Sequence, residues 1–381
     1  MKIGILKERR AHEKRCAATP ETVKKYIGLG AEVVVESGAG ISASIPDAAF
    51  EAAGAKIAPD AAAAAAGAEI VLKVQRPMSA AEGMDELSKL AKGTTLIAIL
   101  NPHGAKEQIG SYAAAGIDAM AMELVPRITR AQSMDVLSSQ ANLAGYKAVI
   151  DAAAEYNRAF PMMMTAAGTV APARVLVMGA GVAGLQAIAT ARRLGAIVSA
   201  TDVRPASKEQ VASLGATFVA VEDEEFKQAE TAAGYAKPMS EAYQAKQAAL
   251  IAETIKKQDI VITTALIPGR KAPVLVTEEM VKTMKPGSVI VDLAVEQGGN
   301  CPLSELGQVV EKHGVKLVGH ANVPSRLAAD STALYAKNLL NFVTLLIDKE
   351  SKQLKINWED EIVKGVALTK GGQVIHPAFQ A

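Results

Sequence analysis

Cysteine is nearly missing from this chain: Cys16 and Cys301 are the only two in 381 residues. So sparse a pair offers no disulfide framework, and neither thiol has a neighbour that would make it a nucleophile. An excess of charge is missing too. The 41 basic and 40 acidic side chains leave a formal net charge of +1, which excludes the broad basic field that draws a protein to nucleic acid or anionic lipid. No apolar run is long enough to cross a bilayer, and no charged-then-apolar leader precedes the first apparent strand, KIGIL. The chain therefore reads as cytoplasmic, without disulfides, recognising its partners locally. Histidine is scarce as well, and His12, His313, His320 and His376 lack the spacing of metal ligands, so no metal is expected.

What is present is the composition of a folded, well-filled protein, 50% hydrophobic and 21% charged, at a length that suits two domains. A cadence of amphipathic segment, glycine and short apolar strand recurs: GLGAEVVVES, AGAEIVLKV, KGTTLIAIL and AAGIDAMAM early, then RLGAIVSATD, SLGATFVAV, KQDIVITTA and KHGVKLVG. Glycine ends each helix in the left-handed conformation and turns the chain into a strand. Strands alternating with helices in this way predict parallel sheets covered on both faces. The expected fold is α/β, with two doubly wound, Rossmann-like domains linked by long helices. The first, flavodoxin-like, takes residues 1–133 with 325–381, and the second takes 134–324. The tract DAAAAAAGAE is expected to be a short surface helix, and the KGG near the chain end a hairpin turn returning to the first domain.

The most specific motif is ARVLVMGAGVAGLQAIATARRLGAIVSATD. An apolar strand, Val175 to Met178, runs into Gly179, Gly181 and Gly184 with GxGxxG spacing, then a helix, then a strand ending in Asp202. Gly179 permits the tight turn, Gly181 lets the backbone approach a pyrophosphate, and Gly184 lets the helix pack close to the sheet. Ala180 and Val182 lie between them, where helix N–H groups meet that pyrophosphate. Asp202 is placed to accept the adenosine-ribose hydroxyls, which favours NAD(H) over NADP(H), and Val203 follows in the same pocket. Arg204 could host a 2′-phosphate, but beside Asp202 it reads as packing on the adenine or facing solvent.

The segment RITRAQSMD, Arg127 to Asp135, crowds arginines, a glutamine and an aspartate together without a His, Cys or Lys to move a proton. The residues alone leave a surface loop or helix cap open beside a functional reading, since Ser133 and Asp135 lie where a helix should begin.

The order LKERR…EKRCAATPETV, VLKVQRPM, VMGAGVAG, TTALIPGRKAPVLV and MKPGSVIVDLAVEQGGN resembles the superfamily of alanine dehydrogenase and the NAD(H)-binding component of proton-translocating NAD(P) transhydrogenase, over nearly the whole chain. The alanine dehydrogenase branch implies a substrate-binding Arg and Lys, matched here by Arg15 and Lys73. It also implies a His acid/base and an Asp, and here Asn101 and Glu296 stand instead, with His103 two residues away from the first. RITRAQSMDVLSSQANLAGY, DVRPASKEQV and AETAAGYAKPMSEAY are similar to the transhydrogenase branch.

That branch implies a Re/Si-specific, proton-translocating enzyme in which hydride passes from NADH on this chain to NADP⁺ on a separate domain or subunit. A membrane-spanning subunit would move the proton, holding this chain at the inner membrane, and the family implies a homodimer. Transfer between two nicotinamide rings needs positioning and polarity without acid or base, which suits RITRAQSMD. The resemblance assigns Arg127 to the cofactor's pyrophosphate or nicotinamide end, Asp135 and Ser138 to the carboxamide, and Gln132 to the second nucleotide. It makes the segment around 222–240 a mobile lid, with Gly234 as hinge and Tyr235 and Met239 as cover, and puts Leu266 and Gln247 near the adenosine. The alternatives are an alanine dehydrogenase and a non-enzymatic NAD-binding regulatory module.

Overall fold

The β-branched and aliphatic runs that follow the helix-ending glycines form two parallel sheets, each wound outward from its middle. In the computed structural model, which describes residues 1–229, 239–267 and 269–380, the chain divides into Met1–Gln140 with Pro324–Ala381, and Ala141–Val323. The first crossing falls inside the helix Val136–Glu155 and the second at Val323.

In the first unit the strands are β1 (Lys2–Ile5), β2 (Glu32–Glu36), β3 (Lys56–Ala58), β4 (Ile70–Gln75), β5 (Thr95–Ile99) and β6 (Asp118–Ala121). They lie in the order β3-β2-β1-β4-β5-β6 with every pair parallel. Such strands are covered on both faces, which is why they read as continuous apolar runs. Ile3, Ile5, Val33, Ile70 and Leu72 are buried in one core with Tyr335, Leu339 and Phe342 of the helix Ala328–Leu345. The C-terminal residues close the sheet edge: Thr369–Lys370 and Gln373–Val374 form the expected hairpin, and Ala119 N donates to Thr369 Oγ1 at 2.9 Å. The alanine tract becomes the expected short surface helix, Ala61–Ala65, capped by Asp60, with Ala62 exposed. Ala61, Ala64 and Ala65 are buried, because side chains this small let the helix settle close against the sheet.

In the second unit β7 (Met163–Thr165) and β8 (Gly168–Val170) form an antiparallel hairpin that joins no larger sheet. The sheet proper holds β9 (Arg174–Met178), β10 (Ile197–Thr201), β11 (Thr217–Phe218), β12 (Ile260–Thr263), β13 (Val289–Asp292), β14 (Val309–Lys312) and β15 (Val315–Val318). Its order is β11-β10-β9-β12-β13-β15-β14, parallel except for the β14 edge. Winding reverses between β9 and β12, and ligands of doubly wound sheets bind outside the strand ends at such a point. Among the described residues no helix is long and apolar enough to cross a membrane.

Candidate functional site

At the switch point of the second unit, β9 turns into the helix Val182–Arg193 through Gly179, Ala180 and Gly181. Gly179 has φ +106°, and a Cβ there would stand 2.4 Å from Thr264 Oγ1. At Gly184 a Cβ would lie 1.7 Å from the Gly179 carbonyl oxygen, so the helix seats on the turn only without a side chain. Gly181 differs, because a Cβ there would meet nothing within 4 Å. The protein's own packing does not require that glycine, yet it caps a helix whose first N–H groups receive no side-chain oxygen. Open space against bare N–H groups at a positive dipole end suits a pyrophosphate, so the residues present fit a dinucleotide.

Around the turn, the side chains singled out from the sequence gather at the strand ends. Asp202 Oδ2 accepts from Ala180 N at 2.7 Å, while Oδ1 accepts from Arg204 N and Arg204 Nε, both at 2.9 Å. Arg204 Nη2 adds a bond to Oδ2 at 3.1 Å. Arg204 thus folds back onto Asp202 rather than facing solvent, because a half-buried carboxylate is the strongest partner in reach. Burial works to raise the Asp202 carboxyl, but Arg204 and the Ala180 N–H outweigh it and hold it below its ordinary value. Gln247 bridges the same edge, donating to Thr201 Oγ1 at 3.1 Å and accepting from Val221 N at 2.9 Å. Val182, Val203 and Leu266 are exposed apolar side chains on the turn, after β10 and after β12. No local pattern marks what holds the backbone beside Leu266: Asn300 donates to Ala265 O at 2.9 Å and accepts from Ala265 N at 3.1 Å. Asn300 N and Cys301 N in turn donate to the buried carboxylate of Asp292.

Of the expected lid, Gly234 and Tyr235 lie outside the described residues. Before them a short helix, Glu224–Lys227, is capped by Asp223, and after them Ser240 Oγ donates to Glu225 Oε2 at 2.7 Å. Met239, half-buried, accepts at its carbonyl from Gln244.

In the first unit, RITRAQSMD forms the 3-10 turn Thr129–Met134 leading into the helix Val136–Glu155. Ala131 and Met134 are buried, whereas Arg127 and Gln132 are exposed and their side chains bond to none of the described residues. Arg130 between them is taken up by Asp360 in a two-pronged pair, both bonds 3.0 Å. Asp135 caps the helix: Oδ1 accepts from Ser138 N at 2.9 Å and Oδ2 from Ser138 Oγ at 2.6 Å. The Ser138 proton is therefore spent on Asp135, and both groups keep only acceptor capacity for a ligand.

The N-terminal domain of the alanine dehydrogenase/PNT group matches residues 4–144 and its C-terminal domain matches residues 148–377. The chain belongs to the alanine dehydrogenase/PNT family. The first segment of NAD(P) transhydrogenase subunit alpha of Rhodospirillum rubrum is 62% identical over 379 residues, covering 100% of this chain and 99% of that protein. The crystal structure of transhydrogenase from Sinorhizobium meliloti, 58% identical, superposes with a TM-score of 0.89 over 98% of this chain and 100% of that one. Alanine dehydrogenase of Halomonas elongata is 31% identical over 92% of this chain and 88% of its own length.

Most positions that bear on the family's alanine dehydrogenase branch are engaged in ion pairs and turns of the protein itself. Arg15 is buried and gripped by Glu13, Nε to Oε1 at 2.8 Å and Nη2 to Oε2 at 2.7 Å, with Gln140 at 2.8 Å. Lys73, fully buried in β4, faces Glu86 at 3.1 Å and Glu8 at 3.5 Å. Asn101 takes a left-handed conformation at φ +49°, its Oδ1 accepting from Gly104 N. His103 is exposed and meets Phe379 edge-on, and Glu296 accepts from Asn322 N.

Proposed function

We propose that this chain is the NAD(H)-binding component of a Re/Si-specific, proton-translocating NAD(P) transhydrogenase. The observation that carries the reading is the 127–138 loop: two exposed polar side chains that bond to none of the described residues, beside two acceptors and with no His, Cys or Lys among them to relay a proton. When bound, NADH supplies a hydride that goes with its electron pair to NADP⁺ on a separate domain, giving NAD⁺ and NADPH with no net proton taken or released. The chain's residues then have only to bind and orient. Gly179, Ala180, Gly181 and Val182 cradle the pyrophosphate on a turn against which Gly184 seats the helix; Asp202 accepts the adenosine-ribose hydroxyls with Val203 and Arg204 next to it, Gln247 and Leu266 line the same end, and Met239 belongs to the cover. Asp135 and Ser138, left with acceptor capacity alone, take the carboxamide NH₂, Arg127 offers its fork to the cofactor, and Gln132 reaches the second nucleotide. The unit Ala141–Val323 serves as the nucleotide-binding domain.

A chain of this kind works only with partners: an NADP(H)-binding domain or subunit, and a membrane-spanning subunit that carries the proton and holds the chain peripherally at the inner membrane. The hairpin β7–β8 supports a homodimer, since Met162, Met163 and Met164 present a bare apolar strand, a surface that proteins rarely leave uncovered. A monomeric mass at micromolar concentration would count against it.

The deciding experiment mixes the chain with a separately supplied NADP(H)-binding domain and follows hydride transfer by stopped flow. Gln132→Asn withdraws the amide by one methylene, so NADH affinity should hold while transfer slows by about tenfold to a hundredfold. Parental transfer by this variant would remove the bridging role, and oxidation of alanine by the chain alone would move it to the family's other branch.

A further inference from the structure

Gln132 is an exposed residue of a turn that is otherwise tied down, and the ties come from a distant stretch of sequence. Asn338, nearly buried on the helix Ala328–Leu345, donates from Nδ2 to Ser133 O at 2.8 Å, and its Oδ1 accepts from Ser139 Oγ at 2.7 Å. Asn341, one turn on, donates to the same Ser133 O at 3.0 Å. Residues three apart share a helix face, so one face sends two amide donors to a single carbonyl next to Gln132. On the other side Asp360 holds Arg130 while also capping the helix Glu361–Val366 through Ile362 N at 2.8 Å. Ala131 and Met134 anchor the turn in the core of the unit. The backbone of Gln132 is thus held from both flanks, while its side chain bonds to none of the described residues.

We infer that Asn338, assisted by Asn341 and by the Arg130–Asp360 pair, is a positioning residue that sets the direction and reach of the Gln132 side chain. This rests on the reading that Gln132 bridges to the second nucleotide. Side chains that act by geometry must be held by supporting bonds, and a small displacement far from the reacting atoms suffices to slow the reaction. Asn338 acts through the Ser133 peptide without touching a nucleotide.

Asn338→Asp tests this with little change of shape. The variant still accepts from Ser139 but turns a carboxylate oxygen toward the Ser133 carbonyl where an N–H stood, so the turn must move. Single-turnover hydride transfer with the NADP(H)-binding domain should fall about tenfold or more, with NADH affinity unchanged. In a Gln132→Asn background the same change should cost nothing further, because a residue that acts through Gln132 has nothing left to position. Arg130→Gln, at an exposed site where a substitution costs little stability, should show a smaller slowing with the same dependence on Gln132. An equal slowing by Asn338→Asp in both backgrounds would reduce Asn338 to general support and overturn the inference. So would a parental rate in Asn338→Asp beside a slow Gln132→Asn. Parental transfer by Gln132→Asn itself would overturn the functional reading and this one with it.

Discussion

The two sheets are wound in the same sense, yet their switch points hold opposite contents. In the first unit, the ends of β1 and β4 meet at Glu8 and Lys73, and around them lie Glu13, Arg15, Glu36, Glu86 and Arg9. Each of these cations faces a protein carboxylate: Lys73 has Glu8 and Glu86, Arg9 has Glu36, and Arg15 has Glu13. In the second unit the equivalent place holds a glycine turn, helix N–H groups and open space, with the Asp202–Arg204 pair at its rim. A doubly wound sheet provides a crevice in both cases. One is closed by charges that satisfy each other, and the other is left for a ligand. If that contrast is right, damage to the first should appear as lost stability and damage to the second as lost affinity.

The largest effect is expected where a buried charge loses its partner. Glu13→Gln leaves the Arg15 guanidinium, 4% exposed, without its counter-charge and should destabilise the first unit by about 3–5 kcal/mol, read from denaturant unfolding, while NADH affinity stays as it was. A drop in NADH affinity with unchanged stability would break the contrast. The pH dependence carries two opposite signs. Burial raises the Glu13 carboxyl, but Arg15 outweighs it and takes it from 4.5 to about 2, so its contribution is full above 4.5 and is lost as pH falls toward 2. Burial dominates at Glu8, raising it from 4.5 to about 7 despite Lys73. There the folded form keeps a proton that the unfolded form has shed, and stability falls as pH rises through that window. Glu8→Gln should flatten the slope between pH 5 and pH 7, as the shift at Glu8 requires.

Within the second unit two glycines sharpen the same contrast. Gly184→Ala pushes a methyl into the Gly179 carbonyl and should cost about 1–3 kcal/mol of stability. Gly181→Ala adds its methyl where nothing lies within 4 Å, at an ordinary φ of −75°. It should leave stability within about 0.5 kcal/mol while weakening NADH binding about tenfold, a loss near 1.4 kcal/mol. Calorimetric titration beside thermal unfolding separates the two, and unchanged NADH affinity in Gly181→Ala would leave the turn without a ligand role.

These contrasts are unequally legible in the sequence. The strand, glycine turn, helix and Asp202 form one contiguous run whose spacing follows from backbone geometry, so the turn can be read directly. The RITRAQSMD loop can be read for what it lacks, but not for what holds it. Asn338, Asn341 and Asp360 lie about two hundred positions away, and pairing over such separations leaves no local periodicity. The faint signal is two asparagines three apart on an otherwise apolar helix face. Glu8, Glu36 and Glu86 likewise resemble solvated charge in the sequence, because only the fold brings them to Lys73 and Arg9. Arg204 lies against Asp202 for a different reason: adjacent residues compete with water for a carboxylate, and a guanidinium reaching back to Asp202 wins.

An effect no larger than that of Gly181→Ala is expected at Asp202, and the reason is that same arginine. A lone carboxylate at this position would repel a 2′-phosphate with its full charge and offer every lone pair to the ribose. Here Oδ1 already takes Arg204 N and Nε at 2.9 Å, and Oδ2 takes Ala180 N at 2.7 Å and Arg204 Nη2 at 3.1 Å. Ribose hydroxyls must therefore replace bonds to Arg204 more than add to them, and the pair presents less net charge to a phosphate than Asp202 alone would. Asp202→Ser removes the acceptor and releases a guanidinium that can meet a 2′-phosphate. NADH binding should weaken and NADPH binding strengthen, changing their ratio by about tenfold, or 1.4 kcal/mol, as read by fluorescence titration. Arg204→Ala should move the ratio the other way, leaving Asp202 unshielded and NADPH more strongly rejected. Equal binding of both nucleotides by the parental chain would mean that this carboxylate does not read the ribose, and a shift toward NADPH in Arg204→Ala would mean that the arginine is not its shield.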